Sequence, residues 1–491
     1  MQSSPAVIGV DSSTQSIKAV LVDAASGKVL ATGRAAHTVS GEAGARESDP
    51  EEWWRALAGA VAEALTGSDA RAVTGIAVAG QQHGLVVLDS AGRPLRPALL
   101  WNDTRSAPQA AALTDRLGAG GWLARTGSVP VASMTATKWQ WLRENEPRTA
   151  GAAAGVRLPH DFLTERLAGT AATDPGDASG TCWYGTATRA YDPELLDLLG
   201  LDRGLLPVVA PAGATRVGSL TASAARELGL PQGIAVAAGT GDNMAAAVGL
   251  GLGGHGLLDH PVVSLGTSGT VFAATRARPA TAALAGFAAT DGTYLPLGCT
   301  LNCTLAVDKI AGLLGLDRED AVPGGEAVLL PYLDGERTPD LPGASGLLTG
   351  LRHATSRQQI LGAAYEGAVF GVLRVLDELP HPDGDVPLRL IGGGARGRTW
   401  VETVRRLSGR PVVLPRTAEL VALGAAALAA GAATGEDPVA VATGWGGGAG
   451  VTLPAVARDR AAWDRIAAVL PAFGSMGTGC GPGRGARGGA G

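Results

Sequence analysis

Lysine is scarce in this 491-residue chain: four stand among forty basic residues, and no basic run occurs. Dispersed cations and a formal net charge of −5 exclude an electrostatic surface for nucleic acid. Beside 73 glycines and abundant alanine, the lysine deficit reads as coding bias. Cysteine is equally sparse. Cys182, Cys299, Cys303 and Cys480 are too few and too irregular for a disulfide framework or a zinc site. The spacing of Cys299 and Cys303 would put them one helical turn apart, as small buried residues. No apolar stretch reaches the ~18 to 20 residues of a membrane span. Residues 1–5 carry no positive side chain, so the expectation is a cytoplasmic protein without a signal peptide. The P-loop pattern G-x-x-x-x-G-K-[ST] is missing, and so is the protein-kinase signature set. Residues 249–254 satisfy G-x-G-x-x-G, but they follow a helix-like segment and no acidic residue stands about 20 positions on, so no dinucleotide site is expected there.

The chain does contain two copies of one device. Residues 7–10 form an apolar run ending in Asp11, followed by the small-residue turn Ser12-Ser13-Thr14 and a second apolar run at 17–22. Residues 262–265 likewise lead into Gly266-Thr267-Ser268-Gly269, and 270–272 lead away. Both read as strand, tight turn, strand. Small-residue turns let backbone N–H groups and a threonine hydroxyl converge on phosphate oxygens. Two such hairpins suggest an internal duplication with a nucleotide between the halves. Each one taken singly also reads as an ordinary hairpin.

At this length two domains are expected, and 46% hydrophobic content supplies their cores. A helix is expected from Asp49, with Asp49 as N-cap, Pro50 at N1, Glu52 completing a capping box, and Trp53, Leu57, Val61 and Leu65 on the inner face. Strands at 73–78 and 85–88 flank the turn Gly80-Gln81-Gln82-His83-Gly84. Residues 231–254 run strand, glycine turn, alanine-rich helix, with Asp242 at the junction, where side chains reach into a crevice. A helix at about 358–379, a strand at 388–391, the turn Gly392-Gly393-Gly394 and a helix from Thr399 repeat the alternation. The order is α/β. Beyond Val451 the signal fades, and the glycine-rich residues 474–491 read as a disordered tail.

Asp242 reads from sequence equally as a proton acceptor or as the cap of the helix that follows. Asp11 is either a Mg²⁺ ligand or a turn former. His83 and Gln82 each carry both hydrogen-bond donors and acceptors, although a lone turn histidine is more often structural. Trp139 and Trp141 would alternate on opposite sides of an extended segment and read as packing.

Further stretches carry a resemblance. Residues 134–142 (Met-Thr-Ala-Thr-Lys-Trp-Gln-Trp-Leu), residues 346–351 with Gln359-Ile360 and 363–366, the loop 80–84, Trp101-Asn102-Asp103, and Gly335-Glu336-Arg337-Thr338-Pro339 together resemble the FGGY carbohydrate kinases up to about residue 470. That resemblance implies two actin-like, ribonuclease-H-type domains with a ligand cleft between them: 1–250 with the sugar site and first phosphate hairpin, and 251–470 with the ATP site. It implies ATP and Mg²⁺ as cofactors and a small sugar as partner. D-xylulose is expected first, with ribulose, fuculose or gluconate as alternatives. An actin-like ATP switch is a reading from another class, and a homodimer is compatible with the resemblance. By position, Asp242 becomes the catalytic proton acceptor and Asn243 a sugar ligand. Asp11 holds Mg²⁺, and Thr14 and Thr267 take phosphate oxygens. Gly393 and Gly394 lie against adenosine with Arg398 flanking, and Gln82, His83 and Asp103 line the sugar pocket. The chain has Ser13 where the family usually has glycine, and Gln82 where the branch acting on xylulose often has methionine.

Overall fold

Ala6–Ser12 and Ser16–Asp23 pair antiparallel, and Val29–Ala36 extends them into a meander. Valine and isoleucine make these strands: Val7, Ile8, Val10, Val20 and Val22 are all wholly buried. A computed structural model describes residues 4–279, 281–339, 341, 343–380, 386–417 and 419–471. The expected tail at 474–491 lies outside the described residues. Val73–Gly80 joins the first strand in parallel, Ala235–Ala237 joins Val73–Gly80 in parallel, and Arg216–Ser219 closes that edge antiparallel. Thr240–Gly241 then pairs with the end of Val73–Gly80. Register does the functional work here. Asp11 is level with Ala79 and Ala79 with Thr240, while Ser12, Gly80 and Gly241 form the next row. Three turns therefore leave the sheet side by side, at the carboxyl ends of its parallel strands.

The second sheet repeats the plan. Val262–Leu265 and Gly269–Phe272 form its hairpin, and Leu388–Ile391 runs parallel to the first of these, with Val263 opposite Leu390. Tyr294–Thr300 and Ala285–Ala288 extend one side, Val412–Pro415 and Gly450–Leu453 the other.

Pro50–Leu65 covers one face of the first sheet, burying Trp53, Leu57 and Val61. Each such side chain contributes about 1.5–3 kcal/mol. Asp49 caps the helix as expected, but Glu52 closes no capping box, because its carboxylate accepts from the Thr38 amide and hydroxyl. The opposite face is covered from far along the chain. Helix Leu420–Thr434, inside the expected 251–470 domain, packs Ala422, Ala426 and Ala429 against Val7, Val20 and Ala77. It comes so close that a Cβ on Gly9 would stand 1.9 Å from the Ala422 carbonyl oxygen, and one on Gly424 would stand 1.8 Å from that of Ala245.

Other expectations change on folding. Trp139 and Trp141 lie on helix Thr135–Asn145 rather than on an extended segment. Trp139 is buried and donates to the Leu199 carbonyl, while Trp141 lies under the Arg105 guanidinium. Cys299 belongs to strand Tyr294–Thr300 and Cys303 precedes helix Thr304–Leu314, so they share no helix. Past Val451 a further helix, Arg460–Val469, packs Ala462 and Ile466 inward. Among the described residues, Arg357–Leu376 is long and apolar enough to cross a membrane, but it is the central buried helix of the second core, with Glu366 paired to Arg406.

Candidate active site

A cavity of about 630 Å³ lies between the halves. Thr14, Gln82, His83, Asp242 and Asn243 from the first half line it, facing Ser268 and Arg337 from the second. Five sequence-chosen residues thus meet in one space.

Asp242 is the first residue of helix Asp242–Gly249, and Gly241 is the N-cap. The carboxylate Oδ1 accepts from the Asn243 amide at 2.8 Å and its Nδ2 at 3.0 Å, while the carboxyl remains in the cavity wall. A helix N-terminus favours the anion. Burial, with the charges of Asp11 and Asp177, outweighs that and pushes this carboxyl up to about 7. Asn243 Nδ2 also donates to Gln82 Oε1 at 2.9 Å. Gln82 is buried, and its Nε2 has no protein partner among the described residues.

His83 takes a left-handed backbone, φ 66°, which turns its ring against Phe287 with centroids 5.4 Å apart. The other side of the ring rests on Gly180, where a Cβ would stand 2.2 Å from Nδ1. Burial first, then the charges of Lys138 and Arg337, lower its pKa to about 3, so the imidazole is neutral at physiological pH. Lys138 is buried and donates to the Ala132 and Ser133 carbonyls at 2.8 and 2.6 Å. It thereby fixes the segment whose Ser133 and Met134 form part of the cavity wall.

Asp103 is a correction. It is absent from the cavity lining; it is buried, accepts from the Arg46 amide at 2.9 Å, and pairs with Arg105 Nη2 at 2.6 Å. Burial raises this carboxyl, but the Arg105 and Arg46 hydrogen bonds win and hold it below the usual range. Its neighbour Trp101 lines the cavity instead, donating to Thr14 Oγ1 at 3.1 Å.

At the first hairpin turn, Ser13 Oγ donates to Asp11 Oδ1 at 2.7 Å, a contact that a glycine there would lack. Burial raises the Asp11 carboxyl despite that bond and the charge of Lys18. In the second hairpin, Thr304 holds the turn by donating its amide and hydroxyl to the Gly266 carbonyl. Thr267 is exposed at the tip, whereas Ser268 faces the cavity.

A second cavity, of about 390 Å³, opens beside the 388–391 strand, lined by Gly392, Gly393, Ala395, Arg396, Arg416 and Thr417. Gly393 has open space where a Cβ would stand. Gly394 is buried with a Cβ position 2.7 Å from Leu265 Cβ, so its role is packing rather than ligand contact. Arg398 points away, highly exposed and loosely paired with Glu319 at 3.6 Å. Arg416 and Thr417, which sequence reading missed, follow the end of strand Val412–Pro415; that strand end was the available signal.

Paired hairpins on two sheets of one plan, with a shared cavity between them, define a two-domain kinase of the actin-like type. The sequence patterns of the FGGY family of carbohydrate kinases match twice, the N-terminal domain over residues 6–249 and the C-terminal domain over 262–433, and the chain belongs to that family. It is 58% identical over 473 residues to a xylulose kinase of Streptomyces coelicolor, covering 95% of this chain and 96% of that one. A xylulose kinase of Streptomyces rubiginosus is 57% identical over 471 residues, covering 95% of this chain and 96% of that protein. The crystal structure of xylulose kinase from Bifidobacterium adolescentis superposes with a TM-score of 0.81 at 32% identity, over 95% of this chain and 99% of that one.

Proposed function

We propose that this protein transfers the γ-phosphoryl group of ATP to the terminal hydroxyl of D-xylulose, giving D-xylulose 5-phosphate and ADP. The observation that carries the mechanism is Asp242: a carboxyl pushed up to about 7 in the wall of a cavity shared by sugar-type ligands and a phosphate-type turn. A base poised near the working pH takes the hydroxyl proton as the oxygen attacks phosphorus. Asn243, the open Gln82 Nε2 and neutral His83 orient the sugar. Thr14, Ser268 and the exposed Thr267 converge on the β- and γ-phosphates, and adenosine lies along Gly393 with Arg396 and Arg416 beside it. Asp11 suits Mg²⁺, because an oxygen donor raised by burial beside a second carboxylate gains from a nearby cation. When bound with ATP, the ion supplies charge neutralisation at the phosphates.

The test is ADP release across ketopentoses, polyols and aldonic acids. D-xylulose is expected to give the highest kcat/KM, ahead of ribulose by about tenfold or more, since a site that hydrogen-bonds hydroxyls discriminates against misplaced ones. A higher value for ribulose or gluconate would reassign the substrate within the family. In the same assay His83→Ala should raise the KM for xylulose by roughly tenfold or more, in line with ~1.5 to 3 kcal/mol for a polar group losing its partner. The KM for ATP should hold. An unchanged xylulose KM would leave His83 a packing residue against Phe287.

A further inference from the structure

Directly beneath the sugar site lies a charged cluster of which the mechanism so far uses only the Asp177 charge. His160 is fully buried on helix Pro159–Ala168, and Asp161, Asp174 and Asp177 around it are 1%, 0% and 0% exposed. Its Nδ1 meets Asp177 Oδ2 at 2.7 Å, and its Nε2 lies 3.2 Å from Asp161 Oδ1 and 4.0 Å from Asp174 Oδ1. Burial would drive the imidazole neutral, but the Asp161 and Asp177 charges and the Asp177 hydrogen bond reverse this and raise it to about 9. Burying so many ionisable groups costs stability unless their geometry is used.

The cluster touches the sugar site at three points. Asp174 Oδ2 accepts from the Thr240 hydroxyl at 2.8 Å, two residues before Asp242. The His160 ring and Cβ fill the spaces under Gly239 and Gly80: a Cβ on Gly239 would stand 3.2 Å from Cδ2, and one on Gly80 would stand 2.9 Å from the His160 Cβ. Asp177 precedes the Ser179–Thr181 turn, whose Gly180 supports His83 and whose Ser179 accepts from the Ala288 amide of the second half at 3.1 Å. Asp174 also ties that segment together, accepting from the Gly176 and Asp177 amides at 3.0 and 2.9 Å.

We infer that His160 and Asp174 are positioning residues for phosphoryl transfer: through the Thr240 hydroxyl and the packed glycine turns they set the distance of the Asp242 carboxylate from the sugar hydroxyl. This rests on Asp242 being the proton acceptor. A general base misplaced by about an ångström costs up to roughly a hundredfold in rate. Thr240 provides the cleanest probe, because valine matches its shape without the hydroxyl and serine keeps the hydroxyl.

Thr240→Val is expected to lower kcat about ten- to a hundredfold with the KM for ATP within about twofold, and Thr240→Ser to restore most of that kcat. His160→Gln, if it folds, should show the same kcat loss per folded molecule; if it does not fold, the Thr240 pair decides. Thr240→Val turning over within about twofold of the parent, with only its melting temperature lowered, would overturn the inference. So would equal loss in the valine and serine variants. Asp242→Asn run in parallel separates the two failures: an active Asp242→Asn enzyme removes the acceptor assignment itself, whereas an inactive one beside a normal Thr240→Val removes only the positioning role.

Discussion

Asp242→Asn should lose at least about a hundredfold in turnover, the lower range of a general-base contribution, while binding xylulose within roughly an order of magnitude of the parent by calorimetry. The amide keeps the shape and an oxygen acceptor for the Asn243 amide, so a structural role predicts nearly normal activity. Stability should move the other way. An unfolded aspartate titrates near ~3.9, and this one is held up to about 7 in the fold. The native state therefore binds the proton more tightly, and ionisation removes stability as pH rises from about 4 to about 7. Asparagine never ionises, so at pH 8 the variant should melt no lower than the parent. The same shift places the acid limb of kcat/KM for the parent enzyme near pH 7, well above an ordinary carboxylate. A near-parental Asp242→Asn enzyme would end the proton-acceptor account.

Gly424→Val should damage the whole molecule rather than the chemistry. Its Cβ would stand 1.8 Å from the Ala245 carbonyl oxygen, on the helix that begins with Asp242. Overpacking usually costs about 1–3 kcal/mol, relieved by side-chain rotation. Here the obstacle is backbone, so the helices must part, and the loss should reach about 3 kcal/mol or more of a total stability of ~5–15 kcal/mol. Denaturant midpoints measure this. Gly120→Ala, at a helical glycine with open space where the Cβ goes, is the control and should be neutral or slightly stabilising. Equal midpoints for the two variants would contradict the close helix contact.

What was legible in the sequence was local. The two hairpins, the 80–84 loop and the Asp242 junction each rest on apolar runs meeting a small-residue turn within a few positions, and each formed where expected. The register that lines them up is set by pairing between distant strands and was not read from the sequence. Errors came where a side chain's partner lay elsewhere. Asp103 turned to Arg105 and to the Arg46 amide, and nothing in a three-residue motif distinguishes that from a sugar contact. Arg398 and Arg396 flank one glycine turn, but only the 3₁₀ segment Gly393–Arg396 and the helix after it decide which reaches the cavity. The His160 cluster was invisible for the same reason, since Asp174 bonds the Thr240 hydroxyl and lies near His160 only once distant segments have folded together.

The return of helix Leu420–Thr434 to the first sheet bears on how the chain is made. Val7, Val20, Val22, Ala77 and Ala237 all wait for a covering segment that emerges from the ribosome late. At ~5 to 20 residues per second, that apolar face stays open for roughly tens of seconds during synthesis. The amino-terminal half is thus not a unit that matures before the rest. It remains unfinished, and a ribosome stalled midway leaves that apolar face uncovered. Cutting the gene at residue 250 would separate a sheet from its own lid. A circular permutant that brings residues 420–434 directly before the first strand would instead let that layer close early, turning a contact between distant parts of the chain into a nearly local one.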